Sequence, residues 1–339
     1  MTHELKKIIQ AYQIAEKKGI KAVLATVVAL EGSSYRRPGV AMLLLENGTM
    51  VGAVSGGCVE KEIYRQSESV FTSGISKIMT YDGRYRLGCE GILYILLEPF
   101  SPTKSFIDGF YKTVQERSSF QVNSYFQKKD STDKKYGTLF QFGNQKLPVH
   151  SGSAPDTSFE VLNQQMDPGM QLLIVGAEHD AVQLCSYASL AGWEVTVIAT
   201  PSEEKQRKDF PGAQELLAIT PEEFQASKID QQTAVVLMTH SYVKDLQYLI
   251  QLHTSSPSYI GLLGPLKRRE QLLNEFLERC PEVESSFFDV IHGPAGLDIG
   301  AETPQEIAIA IMAEILLVTR ERIPGKLKNK KGPIHSKSE

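Results

Sequence analysis

The chain has 339 residues, 42% of them apolar and 22% charged, and its 36 Lys and Arg against 40 Asp and Glu give a formal net charge of −4. That length exceeds what one hydrophobic core usually organises, so two domains are expected, and the near-neutral charge points away from nucleic acid or an anionic membrane as the main partner. No apolar run approaches the roughly 20 residues that span a bilayer.

The opening MTHELKKIIQAYQIAEKKG reads as an amphipathic helix with Leu5, Ile8, Ile9 and Tyr12 on one face, not as a signal peptide, so a cytoplasmic protein is expected. KAVLATVVAL (21–30), AMLLLE (41–46) and MVGAVS (50–55) are predicted strands, from their apolar and β-branched runs and their Gly/Asn punctuation. Residues 58–72 carry a helical pattern with Val59, Ile63 and Val70 among polar neighbours, and ILYILLE (92–98) is a further strand. FQVNSYF and TLFQF flank QKKDSTDKKYG, which reads as a solvated hairpin loop. Residues 1–146 thus form an expected α+β domain. LPVHSGSAPDTSFEVLNQQMDP (147–168), rich in Pro, Ser and Gly, is the expected linker.

Beyond the linker the pattern alternates: QLLIVGA, a helix through Gly192, EVTVIAT, a polar helix, TAVVLMTH, a helix from Val243, YIGLLG and a helix from Pro265. Short apolar strands alternating with helices predict a Rossmann-like, doubly wound parallel sheet over 169–324. TPQEIAIAIMAEILLVTRER supplies a last helix with Thr303 as N-cap, Pro304 at N1 and Glu306 at N3. The basic tail, 325–339, is expected to be disordered.

Candidate chemistry gathers at three glycine-bounded elements of the first domain. Ser55-Gly56-Gly57-Cys58 joins a strand directly to a helix, a junction that exposes backbone N–H groups and the positive end of a helix dipole to an anion. A thiolate at Cys58 is stabilised there, and Glu60 stands in the same first turn. LGCEGI (87–92) brackets Cys89 in the same manner. EGSSYRRPGVAM (31–42) offers Ser33, Ser34, Arg36 and Arg37, and arginine forks suit phosphate and oxo-anions. The alternative is that these residues only shape a turn beneath solvated arginines. Three such elements in one domain, two with thiols, favour a site for an anionic, thiophilic ligand. The other cysteines, Cys185 and Cys280, have no CxxC partner and read as packing or as without a role.

In the second domain, Gly176-Ala177-Glu178-His179-Asp180-Ala181 stands where a dinucleotide-binding turn would be. Glu178 replaces the second glycine, and two like charges ~4 Å apart repel by ~1 kcal/mol even in bulk water. Thr200 stands where an acidic residue would hold a ribose. His179, His240 and residues 261–265 converge on the carboxyl ends of the strands; the two imidazoles either bond loop backbone or ligand, or join a carboxylate around a metal. Asp298, between Gly296 and Gly300, either orients a ligand or caps backbone N–H groups.

In GSSYRRPGVAML, GAVSGGCVEKEI, LGCEGILYILLEP, LLIVGAEH, VVLMTH, YIGLLG and above all GPAGLDIGAETPQEIAIAIMAEI (293–315), the chain resembles the XdhC/CoxI family, accessory proteins of xanthine dehydrogenase and related molybdenum hydroxylases. The resemblance spans both domains in the family's order. It implies an N-terminal XdhC/CoxI domain and a C-terminal Rossmann-like domain in a homodimeric chaperone, with no catalytic residue of its own. Such a chaperone binds molybdenum cofactor (molybdopterin), protects it during sulfuration by a cysteine desulfurase, and hands it to an apo xanthine dehydrogenase or related hydroxylase. The implied cofactor-binding set is Ser33, Ser34, Arg36, Arg37, Gly56, Gly57, Cys58, Glu60, Cys89, Gly176, His179, His240 and Asp298, with Cys58 and Cys89 toward the metal. Gly-Ala-Glu-His in place of Gly-Ala-Gly-His, and Thr200, are departures that weigh against NAD(P) in the second domain. An NAD(P)-dependent oxidoreductase is the alternative reading. The hydroxylase itself is rejected, because the chain lacks clustered cysteines for iron–sulfur centres.

Overall fold

The computed structural model describes residues 2–32, 37–55, 57–83 and 91–330. The chain divides into two compact units, one running to Pro168 and the other from Gly169 to Asn329. The architecture is mixed α/β, with an α+β first unit and a Rossmann-like second unit.

The first unit opens with α1 (Thr2–Glu16), β1 (Ala22–Glu31), β2 (Ala41–Leu45), β3 (Met50–Val51), α2 (Cys58–Ser73), β4 (Lys77–Asp82) and β5 (Ile92–Pro99). It continues with α3 (Lys104–Gln115), β6 (Phe120–Phe126), β7 (Ser131–Thr132), β8 (Gly137–Phe142), β9 (Gln145–Pro148) and β10 (Glu160–Met166). Two antiparallel sheets result, ordered β3-β2-β1-β5-β4-β7 and β10-β6-β8-β9. β1 reads as an unbroken apolar run because both of its faces are covered. Val23, Ala25 and Val27 pack under Val59, Ile63 and Val70 of α2, whereas Leu24 joins α1 and the phenylalanines of α3, β6 and β8. Phe106, Phe110, Phe120, Phe140 and Phe142 meet edge-on or tilted in that second layer, apart from the stacked pair Phe120–Phe140.

Three segments differ from expectation. β3 ends at Val51, because Gly52 turns at φ +84° and the following amides bond a side chain, not a strand. The polar stretch after β6 contains β7, which pairs Ser131 with Ile78 and Thr132 with Lys77, so this loop crosses to the other sheet. The stretch 147–168 includes β10, paired with β6 over seven residues. β10 is an edge strand with largely solvent-facing side chains, so its composition reads as loop.

The second unit contains β11 (Gln171–Val175), α4 (His179–Leu190), β12 (Glu194–Ala199), β13 (Glu215–Ala218), β14 (Thr233–Leu237), α5 (Tyr242–Leu252), β15 (Tyr259–Leu262), α6 (Leu266–Arg279), α7 (Ser286–Asp289), β16 (Ile291–His292) and α8 (Pro304–Thr319). The sheet is parallel throughout, ordered β13-β12-β11-β14-β15-β16, with the order reversing between β11 and β14. α4 and α8 cover one face, α5 and α6 the other. Where a polar helix is expected after β12, single 3₁₀ turns stand instead at Pro201–Glu203 and Arg207–Asp209. No helix among the described residues is long and apolar enough to cross a membrane.

Candidate functional site

Strand pairing fixes the direction in which the chain approaches each of the three glycine-bounded elements. Glu31, at the end of β1, pairs with Ile92 at the start of β5, and Ile92 also pairs with Asp82 at the end of β4. β3 pairs Met50 with Leu44 and Val51 with Leu43 on β2, whose Ala41 faces Thr26 of β1, so β3 runs in the direction of β1. The chain therefore leaves β1 and β4, and enters β5, at one end of one sheet, whereas β3 is directed toward that end but stops at Val51, level with Leu24 of β1 through Leu43. α2 begins after β3 with Cys58 as its first residue. Ser33, Ser34, Arg36, Gly56 and Cys89 lie outside the described residues, as does the Cys58 side chain; the strands flanking them are fixed.

Arg37 is exposed at this end and leads into a tight turn. The Gly39 amide donates to Val27 O at 2.7 Å, Val27 N to Val40 O at 3.0 Å, and Gln164 Nε2 of β10 to Gly39 O at 3.2 Å. Gly39 has φ +97°, and a Cβ there would lie 2.0 Å from Gln164 Nε2. The positive φ favours glycine, and the bond from Gln164 ties the turn that carries Arg37 to the second sheet of the unit.

The junction before α2 differs from the bare cradle its sequence suggests. Glu60 is buried, and its carboxylate accepts from the backbone N–H groups of Val54 (3.1 Å), Ser55 (2.7 Å) and Gly57 (2.5 Å). A carboxylate holding three amides is strongly anchored. Glu60 and the Gly57 amide thus bond each other within the turn itself. The amides left for an anion are those of the first turn of α2, which cannot find intrahelical partners. Gly57, at φ +145° with open space around it, permits the reversal.

The second unit spreads its candidates along the carboxyl edge of the sheet. Gly176 has φ +135°, and a Cβ there would come within 2.3 Å of Met238 O, so this glycine serves the close approach of β11 to the end of β14. Glu178 is the N-cap position of α4, exposed and without a side-chain cap bond. His179 is exposed on the first turn of α4. His240 is exposed at φ +56°, and its Nε2 lies 3.9 Å from Asp180 Oδ2. No cluster of three or more His, Cys, Asp or Glu able to hold a metal occurs among the described residues. Thr200 donates its amide to Glu203 Oε2 at 2.9 Å, and its hydroxyl accepts from Lys244 Nζ at 3.3 Å. Asp298 is exposed on the loop before α8. Cys185 is on the buried face of α4; burial pushes its thiol up to about 11, which fits a packing residue.

Two carboxylates that sequence reasoning missed hold these loops. Asp245 on α5 is buried and accepts from Thr239 Oγ1 at 2.6 Å, Thr239 N at 3.3 Å and Arg268 Nη2 at 2.7 Å, fixing the turn that presents His240. Glu314 on α8 accepts from Gly296 N at 2.7 Å and Tyr259 Oη at 2.6 Å, with His292 Nδ1 at 3.6 Å, which ties down the loop carrying Asp298. Burial pushes the Glu314 carboxyl up, but bonds from His292, Tyr259 and the Gly296 amide hold it below its usual value. No periodic pattern marks either residue; Asp245 stands in the first turn of α5 and Glu314 in the second half of α8.

The match to known proteins covers both units. A family model described as "XdhC Rossmann domain" matches residues 172–315, and one described as "XdhC and CoxI family" matches residues 15–82. A Bacillus subtilis (strain 168) protein named as a probable xanthine dehydrogenase subunit is 30% identical over 336 residues, spanning 89% of this chain and 94% of that protein. The chain belongs to the XdhC/CoxI family. It is also 24% identical over 322 residues to the molybdenum cofactor insertion chaperone PaoD of Escherichia coli (strain K12), covering 94% of this chain and 90% of PaoD. A crystal structure described as a xanthine dehydrogenase from Bacillus halodurans superposes with a TM-score of 0.76 at 26% identity, covering 94% of this chain and 97% of that one.

Proposed function

We propose that this XdhC/CoxI-family chain is an accessory protein of molybdenum-enzyme maturation. It holds molybdenum cofactor at the end of the first sheet where β1 and β4 terminate and β5 begins, and passes it to a xanthine dehydrogenase-type hydroxylase. The observation that supports this reading is the strand topology: β1, which leads to the Arg37 turn, and β4 and β5, which flank the Cys89 segment, meet at one sheet end, and β3 is directed toward it. The similarity to a molybdenum cofactor insertion chaperone supports it.

The donor set fits the group. Arg37 and the first-turn amides of α2 suit its phosphate, and sulfur suits molybdenum. When bound, the cofactor brings the metal and dithiolene that the client enzyme uses. Arg37 and the first-turn amides of α2 would hold the phosphate, and Cys58 and Cys89 would supply sulfur to the metal. Cys58 and Cys89 are assigned to the metal, and Ser33, Ser34 and Arg36 to the same edge. Action in the cytoplasm as a homodimer, with a cysteine desulfurase supplying sulfur before transfer, belongs to this proposal.

The test is transfer. Mixing cofactor-loaded protein with purified apo-hydroxylase should restore hydroxylase activity faster than free cofactor does, and adding the desulfurase and cysteine should raise the yield. Activation no faster than with free cofactor would remove the chaperone reading.

A further inference from the structure

Helix α8 is apolar on more than the side that faces the sheet. Ala308, Ile311 and Ile315 pack into the core of the second unit. Ile309 and Leu316 nevertheless stand 48% and 40% exposed, with the half-buried Met312 and Ala313 between them. Seven residues apart, Ile309 and Leu316 share one side of the helix, and Ala313, four after Ile309, borders it. From Ile307 to Thr319 the only charged residue is Glu314. Its carboxylate turns inward, accepting from Gly296 N at 2.7 Å and Tyr259 Oη at 2.6 Å. An uncharged apolar stripe of this kind on the outside of a helix marks a docking face.

The face carries the pattern of its own partner. Glu306 stands seven residues before Ala313 and Arg320 seven after it, and both are exposed. All three therefore lie along one edge of the stripe. Glu306 Oε2 accepts from Glu302 N at 2.9 Å and Thr303 N at 3.0 Å. Its Oε1 and the Arg320 guanidinium have no side-chain partner among the described residues. Two antiparallel helices related by a two-fold axis bring like edges together, so residue i meets j and j meets i. With the axis at Ala313, Glu306 meets the partner's Arg320, and Arg320 meets the partner's Glu306. Ile309 then packs against the partner's Leu316, and the small Ala313 lets the helices close at the axis. A parallel pairing would instead set like charges level with each other.

We propose that a second copy of this chain docks on this face, α8 against α8, antiparallel about Ala313. The inference deepens the maturation reading by giving its homodimer a face, and it rests on that reading only for the number of copies.

Sedimentation equilibrium of the full chain tests it. The native chain is expected to be a dimer. Leu316→Lys, which puts an ammonium into the apolar centre, is expected to be a folded monomer at the same concentration. Arg320→Glu and Glu306→Lys, each alone, set like charges together twice and should weaken the dimer about tenfold. Mixed in equal amounts, the two variants should regain the native affinity, because each then offers the charge that the other lacks. A monomeric native chain, a dimer that Leu316→Lys leaves intact, or a mixture no tighter than its components would overturn the proposal. A monomeric native chain whose Leu316→Lys variant loses transfer to the apo-hydroxylase would assign the face to the client instead, and would overturn it equally. Activation of the hydroxylase by a monomeric chain would end this inference and leave the maturation role standing, so the two failures are distinguishable.

Discussion

Before α2 a glutamate lies inside the strand-to-helix turn, and before α4 a glutamate lies outside one. Glu60 is buried and gathers three backbone amides around its carboxylate, whereas Glu178 stands exposed at the N-cap position of α4 with no cap bond. The glycines differ as well: Gly57 has open space around its missing side chain, while Gly176 is pressed against Met238 O. A glycine-rich turn with an acidic residue nearby is therefore not one device. In the first unit the turn is built around its own anion and delivers Cys58 to a helix start. In the second unit the glycine serves strand packing, and the acidic side chain is left to solvent.

Substitutions at these two turns sharpen the contrast. Gly176→Ala should have the largest effect, since it places a methyl 2.3 Å from a backbone oxygen at φ +135°; a loss of about 3 kcal/mol or more, or failure of the second unit to fold, is expected in denaturant unfolding. Glu60→Ala should follow closely at about 3 kcal/mol, because three N–H groups lose a charged acceptor. Glu60→Gln, which keeps one acceptor oxygen, should cost less. Gly57→Ala meets no neighbour, so only backbone strain of about 1–3 kcal/mol is expected. Glu178→Ala should stay within about 0.5 kcal/mol. A Glu178 variant as damaging as Glu60→Ala would collapse the comparison.

The first unit holds a further buried carboxyl, and its behaviour with pH separates it from the turns. Glu98 is 1% exposed, and burial pushes its pKa from 4.5 up to about 7, although bonds from Thr138 N at 2.9 Å and Thr138 Oγ1 at 2.6 Å pull it down. A folded-state pKa above the unfolded value means that the folded form binds the extra proton. The Glu98 contribution is then fully present below pH 4.5 and is lost as pH rises through about 7. Glu98→Gln should flatten the decline in stability across that window, measured as melting temperature against pH. A smaller effect is expected at Thr303, whose hydroxyl accepts from Glu306 N at 3.3 Å; Thr303→Ala should cost about 1 kcal/mol.

What could be read from the sequence follows burial. β1 and the four inner strands of the second unit, β11, β12, β14 and β15, are mainly apolar because both faces are covered, and they read correctly as strands, whereas the short edge strands β13 and β16 did not. β10 and β7 are edge strands with polar outward faces, which resemble loops in composition. The three glycine-bounded elements were legible as local chemistry, and sheet topology adds what sequence lacks, that β1 and β4 end and β5 begins at one end of one sheet. Glu60 carried a readable signal, since it stands three residues after Gly57, at the N3 position from which a carboxylate reaches back to the N-cap amide. Asp245 and Glu314 carried none, because their partners are 6 to 55 residues distant.

The account depends most on the sulfur-bearing end of the first sheet. The direct measurement is molybdenum and phosphorus content of the full chain isolated from a host that makes the cofactor, for the native protein and for Cys58→Ala, Cys89→Ala and the double variant. Near-stoichiometric metal and phosphorus in the native protein, reduced in each single variant and lost in the double, is the predicted result. Undiminished metal and phosphorus in the double variant would contradict the assignment.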